Sequence, residues 1–213
     1  MRTYNTPTWV RAFTTGQEPF SPPEAWSPEG WDEKALALPR QTHSANVLWM
    51  RQPGRPANTD AVITDVVGLP LVIKTADCIP VLLYDRRQRR IAAVHAGWRG
   101  TVQGISQTTI RMMQSEGRDL SAIIGPGISQ PSFEVGEEVY EAFRQAGFPM
   151  QRIARRETKW HLDLFQANAW LLEEMGVTDI HIDGTCTFLS PDLYSARRDT
   201  IHTGRNLNGI VLL

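Results

Sequence analysis

The sequence predicts an α+β fold, or a sandwich built on a mixed sheet, because strand and helix signals follow one another without regular alternation. Three segments show the helical period of apolar residues and are followed by glycine, and short apolar or β-branched runs lie between them. The chain of 213 residues is long enough for one large domain with a sizeable core. We therefore expect residues 1–213 to form a single domain.

Short apolar and β-branched runs predict the strands. They are residues 47–50, 61–64, 69–74, 79–84, 91–95, 180–182, 185–189 and 210–213, and a further run at 123–124 stops at a Gly-Pro-Gly sequence. The helical period predicts helices over 101–113, 134–146 and 163–175. Residues 19–39 are rich in Pro, Glu, Ser and Trp, which predicts an irregular surface excursion with a short helix near 31–38.

Composition and charge exclude several classes of protein. The net charge is −1, so no broad attraction to nucleic acid or to an anionic membrane is expected. Two cysteines, Cys78 and Cys186, are too few for a secreted disulfide framework. Residues 1–10 hold no apolar run of signal-peptide length, and no run approaches the ~18 residues of a membrane span. These features predict a cytoplasmic location.

Three residues have side chains suited to a metal. His43 lies where a loop meets a predicted strand, Cys78 lies between two apolar runs, and His95 ends an apolar strand beside small residues. One thiolate and two imidazoles suit zinc, and three protein ligands leave a fourth position for water. The sequence separations are long, so the alternative stays open that Cys78 packs as a small apolar residue and the histidines are ordinary core or surface residues.

Arginines after two predicted strands are candidates for anion binding. Arg99 lies between two glycines where a helix is expected to begin, near Thr101, and helix N-termini and guanidinium groups both bind anions. The alternative is a tight turn with a surface arginine. Arg197 and Arg198 follow a later strand and either bind substrate or form a solvated charge cluster. Neither a Walker loop nor a dinucleotide-binding fingerprint is present.

Several segments together resemble one family, variously called polyphenol oxidase, laccase-domain protein, peptidoglycan editing factor and purine nucleoside phosphorylase. They are Gln41-Thr42-His43-Ser44, Thr59-Asp60-Ala61, Thr75-Ala76-Asp77-Cys78-Ile79-Pro80-Val81, Val94-His95-Ala96-Gly97-Trp98-Arg99-Gly100, Ile124-Gly125-Pro126-Gly127-Ile128, His161-Leu162-Asp163-Leu164 and Ser195-Ala196-Arg197-Arg198-Asp199, extended by Thr203-Gly204-Arg205. The Ala-Asp-Cys and His-Ala-Gly-Trp-Arg-Gly segments are specific, and their joint occurrence in this order makes a chance match improbable.

The resemblance implies an α/β/α-type sandwich and a three-ligand metal site. By position, the metal ligands are His43, Cys78 and His95, with zinc as the expected metal and copper as an alternative. The candidate catalytic residues are Cys78 and His95, with Asp77 as a candidate acid or base; neighbours on an extended strand point to opposite faces, so the alternative stays open that Asp77 faces the core or supports the metal ligands from behind. The residues expected to bind substrate are Arg99, Arg197, Arg198 and Gln41. The family is also said to share its fold with deamidating toxins, so Cys78 and His95 could instead act as nucleophile and base.

The resemblance also implies an activity: phosphorolysis of adenosine, inosine or guanosine to a free base and ribose 1-phosphate. Adenosine deaminase and methylthioadenosine phosphorylase activities are implied beside it, although the usual zinc-deaminase signature is absent. One alternative is a hydrolase that edits a peptidoglycan precursor through the metal or a Cys–His pair. A copper-dependent polyphenol oxidase is another, but five histidines are fewer than a multicopper centre needs. The expected partners are a purine nucleoside and phosphate.

Overall fold

A computed structural model describes residues 1–17 and 33–213 of the chain. The strands are β1 (Arg2–Thr3), β2 (Val10–Thr14), β3 (Val47–Trp49), β4 (Ala61–Thr64), β5 (Leu71–Thr75), β6 (Ile79–Asp85), β7 (Arg90–Ala96), β8 (Leu120–Ile124), β9 (Glu134–Val135), β10 (Ala154–Arg156), β11 (Trp160–Leu162), β12 (Asp179–Ile182) and β13 (Asn206–Leu212). The α-helices are α1 (Trp98–Val102), α2 (Ile105–Met113), α3 (Glu137–Gln145), α4 (Met150–Ile153), α5 (Leu164–Glu173) and α6 (Ala196–Asp199). None of these helices has the length and apolar character needed to cross a bilayer.

The strands form three sheets. The largest has six strands in the order β12-β8-β6-β7-β4-β3, with antiparallel pairing at its centre and a parallel pair at each end, so it is mixed. A four-stranded antiparallel sheet has the order β1-β2-β13-β5 and joins both ends of the described chain. A small sheet has the order β10-β11-β9. The α+β class with a mixed sheet is thereby confirmed.

Alternation along the central strands builds two cores, because successive strand residues point to opposite faces. On one face, Val81 and Val94 join a core that includes residues of α2, α3 and α5. On the other face, Leu82 and Ala93 pack against residues of the four-stranded sheet. The layers are therefore helices, six-stranded sheet and four-stranded sheet. The α/β/α order implied by the resemblance differs here, since β2, β5 and β13 cover the second face.

Most of the predicted helices and strands are present in the structure, and the differences lie at particular segments. The run 185–189 is wrongly predicted as a strand: it is a turn with one isolated bridge from Cys186 to Gly127. The helix predicted over 101–113 is divided into α1 and α2 at Gly104, whose φ is +71°. Part of the helix predicted over 134–146 is β9. The strands β1, β2, β10 and β11 and the short helices α4 and α6 were not predicted.

The surface excursion expected at 19–39 lies mostly outside the described residues. Of the part that is described, Glu33–Ala35 forms a 3₁₀ turn. Leu36 and Leu38 are buried with Phe13 and Val72, so this end of the excursion packs against the four-stranded sheet.

Candidate metal centre and its cavity

Strand pairing brings Cys78 and His95 together. Cys78 immediately precedes β6, His95 is the penultimate residue of β7, and in the antiparallel pair Ile79 lies opposite Ala96. Cys78 is half-buried and His95 is 4% exposed. The two residues therefore lie at the same end of neighbouring central strands, with one side open to the surface.

His43 completes the cluster from a separate loop. Its Nε2 lies 3.8 Å from the Cys78 Sγ, and its ring meets the His95 ring edge-on at a centroid distance of 4.9 Å. One ligand atom from each of the three residues lies within 4.8 Å of the other two. Atoms bound to one tetrahedral zinc ion at 2.0–2.3 Å lie about 3.5 Å apart, so this donor set fits a zinc ion with little adjustment.

A buried carboxylate, Asp60, holds the His95 side chain and the backbone of the loop that bears His43. Its Oδ1 accepts hydrogen bonds from the His95 Nδ1 at 2.8 Å and from the His43 backbone N–H at 2.9 Å. Its Oδ2 accepts from the backbone N–H groups of Thr42 and Ser44 and from the Ser44 hydroxyl. Because Asp60 engages Nδ1, His95 is left with Nε2 as its ligand atom, which is the usual arrangement behind a metal-bound histidine.

The electrostatics of the cluster favour charged forms. Burial alone would raise the pKa of Asp60, but hydrogen bonds from His95, Ser44 and Thr42 outweigh it and lower the pKa. Burial also opposes ionisation of Cys78, yet the neighbouring His95 and His43 lower its pKa to about 6. For His95, burial is outweighed by the Cys78 thiolate and Asp60, which raise the pKa to about 9. The metal-free pair is therefore a thiolate and an imidazolium near neutral pH.

Gly97 allows the backbone to approach this cluster closely. A Cβ at this position would lie 3.0 Å from both the Cys78 Sγ and the His43 Cδ2. Any larger residue would therefore push the cysteine and the histidine apart.

Asp77 shapes the same end of the sheet through its own carboxylate. Its backbone has a φ of +87°, and its oxygens accept from the Thr187 hydroxyl at 2.6 Å and from the Arg197 backbone N–H at 2.7 Å. Asp77 thus fixes the start of α6. The catalytic role expected for this residue stays a prediction, because both oxygens are already engaged.

The cluster lies in a cavity of about 790 Å³. The volume is within the range of small-molecule sites. The lining residues are Leu38, Pro39, Arg40, Gln41, His43, Arg55, Lys74, Ala76, Asp77, Cys78, His95, Trp98, Ile128, Phe133, Ala196, Arg197, Ile201 and Arg205. Apolar and aromatic groups thus share the cavity with several cations.

Two of the four residues expected to bind substrate line this cavity. The Gln41 side-chain amide is paired with the Lys74 backbone, donating to the carbonyl at 2.7 Å and accepting from the N–H at 2.8 Å. Arg197 lies over the Phe133 ring and donates to the Ser132 and Glu134 carbonyls. Gln41 therefore fixes the loop before His43, and Arg197 presents a positive charge to the cavity.

The other two are not part of the cavity lining. Arg99 lies in α1, which begins at Trp98 rather than near Thr101, and its exposed side chain stacks on the Trp98 ring. Arg198 donates to the carbonyls of Thr187, Ser190 and Leu193 and pairs with Asp199, so it holds the preceding loop. The substrate-binding role expected for these two arginines stays a prediction.

Sequence reasoning assigned no role to Asp60, Arg40, Arg55, Lys74 or Arg205, all of which line the cavity or support the cluster. Asp60 gave a usable signal. It is an acidic residue directly before an apolar strand and within one of the recognised segments, and a buried carboxylate at such a place must be hydrogen-bonded. Among the cations, Arg205 lies in one of the recognised segments, whereas Arg40, Arg55 and Lys74 gave no signal because they come from other parts of the chain.

Comparison with known proteins agrees with this geometry. The family model described as multi-copper polyphenol oxidoreductase laccase matches residues 26–213. The chain belongs to this family. A purine nucleoside phosphorylase of Bacteroides thetaiotaomicron is 44% identical over 197 residues, covering 83% of this chain and 73% of the relative.

Two further comparisons extend the laccase-domain family match. A protein named adenosine deaminase RL5, from an unknown prokaryotic organism, is 36% identical and covers 85% of this chain and 76% of the relative. The crystal structure of Neisseria meningitidis protein NMB0706 is 28% identical with a TM-score of 0.86, covering 99% of this chain and 98% of that one. The resemblance stated from the sequence motifs is thus confirmed.

Proposed function

We propose that this protein is a zinc-dependent purine nucleoside phosphorylase, acting on adenosine, inosine or guanosine and, as a further substrate, methylthioadenosine. The observation that carries the proposal is that the His43–Cys78–His95 cluster and several cations share one cavity of nucleoside size. The relative named purine nucleoside phosphorylase supports it, at 44% identity over most of both chains. The cytoplasmic location and the single domain expected from the sequence stay predictions.

The reaction joins phosphate to a sugar. A phosphate oxygen forms a bond to the ribose C1′ while the bond from C1′ to the purine nitrogen breaks, and the electron pair and then a proton go to the base. The cations of the cavity would hold the phosphate, and the lining residues Trp98 and Phe133 would give the base an aromatic surface. A zinc ion held by His43, Cys78 and His95 would supply Lewis-acid polarisation of the leaving base or sugar.

Adenosine deamination is a second candidate activity. The relative named adenosine deaminase RL5 supports it, and a metal with one open position suits activation of water. Water would then add to the purine ring and ammonia would leave, without any need for phosphate. The two reactions are therefore separated by their products and by their dependence on phosphate.

A third candidate function is a metal-independent hydrolase that acts on a cell-wall precursor, with Cys78 as nucleophile and His95 as base. The pKa of Cys78, lowered to about 6, supports it because a thiolate is the attacking form. A copper-dependent oxidase fits less well. Within the described residues one cluster could hold a metal, and it contains only two of the five histidines.

A panel of nucleosides assayed with and without phosphate tests the proposal. We expect ribose 1-phosphate from purine nucleosides only when phosphate is present, loss of turnover after treatment with a strong chelator, and recovery with zinc. Metal analysis of the purified protein should find about one zinc per chain. A rate of turnover that changes neither with phosphate nor with chelator would overturn the proposal in favour of the cysteine hydrolase.

A further inference from the structure

The cavity is far more positive than the rest of the molecule. Five cations line it: Arg40, Arg55, Lys74, Arg197 and Arg205. Among the described lining residues the single carboxylate is Asp77, and both of its oxygens are already engaged. The chain as a whole has a net charge of −1, so this concentration is local. Like charges grouped in a cleft raise the local concentration of anions.

Three of these cations come together through backbone pairing between separate segments. The Arg40 N–H donates to the Pro56 carbonyl at 2.9 Å, which brings Arg55 alongside Arg40. Gln41, the next residue, is paired with the backbone of Lys74 through both of its amide atoms. The fold therefore fixes Arg40, Arg55 and Lys74 on one wall of the cavity, and the same loop continues to His43.

Two cations on this wall have unused side-chain donors. Within residues 1–17 and 33–213, the Arg40 guanidinium and the Lys74 ammonium have neither a hydrogen-bond nor an ion-pair partner. By contrast, Arg197 donates to the Ser132 and Glu134 carbonyls, and Arg205 donates to carbonyls of its own turn. Unpaired cations that line one cavity repel one another, and an anion bound between them would relieve that repulsion.

We propose that Arg40 and Lys74 form a phosphate-binding wall for the substrates of this cavity. A guanidinium fork and an ammonium group together match the oxygens of a phosphate dianion. The inference deepens the proposed function and rests on it for the reaction, but phosphate binding itself is measured separately. The phosphate is either free inorganic phosphate, the second substrate of phosphorolysis, or a phosphate carried on the ribose of the nucleoside.

Calorimetric titrations of the full chain with inorganic phosphate, adenosine 5′-monophosphate and adenosine test the wall. The variants are Arg40→Met and Lys74→Met, which remove charge and keep length, with Arg40→Lys and Lys74→Arg as charge-preserving partners. Arg111→Met removes an exposed cation from α2, outside the cavity lining, and is the matched control. All titrations are made at one ionic strength, because salt screens such contacts.

We expect each methionine variant to bind phosphate about tenfold more weakly or worse, the loss of one charge-assisted contact, with adenosine binding changed by less than about twofold. The charge-preserving variants should recover most of the affinity, and Arg111→Met should match the wild type. Weakened binding of inorganic phosphate identifies the free ion as the ligand. Weakening confined to adenosine 5′-monophosphate identifies a phosphate carried on the ribose, and both outcomes support the wall.

Two results would overturn the inference: a wild-type protein that binds neither phosphate compound, or folded methionine variants that bind both as the wild type does. Circular dichroism of each variant establishes folding. A protein that hydrolyses or deaminates nucleosides, yet loses phosphate binding in these variants, would refute the phosphorylase and leave the wall intact. The two proposals can therefore fail separately.

Discussion

Replacing Asp60 with asparagine should weaken metal binding although none of the three proposed metal ligands is replaced. Asp60 is fully buried, and its two oxygens face different donors. Oδ1 accepts from His95 Nδ1 and the His43 N–H, whereas Oδ2 accepts from the Thr42 and Ser44 N–H groups and the Ser44 hydroxyl. An asparagine has the same shape but only one acceptor oxygen, so its amide nitrogen must face donors on one side.

The smaller loss comes from keeping the oxygen on the Oδ2 side. Two donors then lose their acceptor, the His43 N–H and the His95 Nδ1, and a buried donor without a partner costs about 1–3 kcal/mol. Asp60→Asn should therefore lower the free energy of unfolding of the metal-free protein by about 2–6 kcal/mol. His95 can recover one contact by moving its proton to Nε2, but that blocks the ligand atom. Either way, zinc affinity should fall about 10–100-fold.

The pH dependence of this stability difference has a definite sign. The hydrogen bonds lower the folded-state pKa of Asp60 below its unfolded value of about 3.9. Its contribution to stability is therefore fully present above that unfolded pKa and is lost as pH falls through the folded one. We expect the difference in unfolding free energy between wild type and Asp60→Asn to shrink in strong acid. It should also narrow as pH rises from about 6.5 toward 9, because Asp60 helps to raise the pKa of His95 to about 9, and the stability that comes with this raised pKa is lost over that range.

Zinc affinity is measured by competition with a chromophoric chelator, and stability by denaturant unfolding of the metal-free protein. The matched control is Asp85→Asn, another fully buried aspartate, whose Oδ1 accepts from Arg87 and Gln88 and whose Oδ2 lacks a partner among the described residues. An asparagine there can keep both contacts, so zinc affinity should be unchanged. A folded Asp60→Asn protein with zinc affinity within twofold of the wild type would refute the reasoning.

Two further predictions concern the cluster itself. In metal-free protein, the rate of Cys78 alkylation should reach half its maximum near pH 6, and bound zinc should suppress the reaction. His95→Gln should move that midpoint to higher pH, because it removes the imidazolium. A wild-type midpoint near the pKa of an ordinary thiol would contradict the thiolate–imidazolium pair. Gly97→Ala should lower zinc affinity about tenfold, because its methyl group would lie against both Cys78 and His43. Gly54→Ala is the control and should leave zinc affinity unchanged, since its Cβ would meet only the flexible end of Met50 at 3.4 Å. Equal affinities in the two variants would count against the close approach at Gly97.

The central sheet could be predicted from the sequence because its strands are short apolar runs whose alternate residues enter two cores. Ala61–Thr64 matches its predicted bounds, and Ile79–Asp85 and Arg90–Ala96 extend theirs by one residue at one or both ends. The strands missed at the N-terminus have a different origin. Val10–Thr14 lies in a run rich in β-branched and aromatic residues, a local strand signal that the prediction missed, and its pairing partner Asn206–Leu212 is at the far end of the chain.

The metal cluster could be predicted from the sequence, whereas the cavity wall could not. His43, Cys78 and His95 were named because ordered motifs identified a family, whereas their spacing alone left the ordinary alternatives open. Arg99 lies in α1, which begins at Trp98 rather than near Thr101, and stacks on the Trp98 ring; its role in binding substrate stays a prediction. Arg40 and Lys74 line one cavity because their segments pair through the Gln41 side chain and through backbone contacts of Ala37, between residues more than 30 apart in sequence.

The loop that bears His43 favours the ligand role of Cys78 over the nucleophile role. His43 has a φ of +61°, a left-handed conformation that costs about 1–3 kcal/mol for a residue with a side chain. Three consecutive backbone N–H groups, from Thr42 to Ser44, are tied to the buried Asp60 carboxylate and hold the loop in that conformation. A nucleophile and base would need only Cys78 and His95. A strained, carboxylate-anchored loop that brings a second imidazole to 3.8 Å from the sulfur has a physical purpose if all three side chains bind one ion.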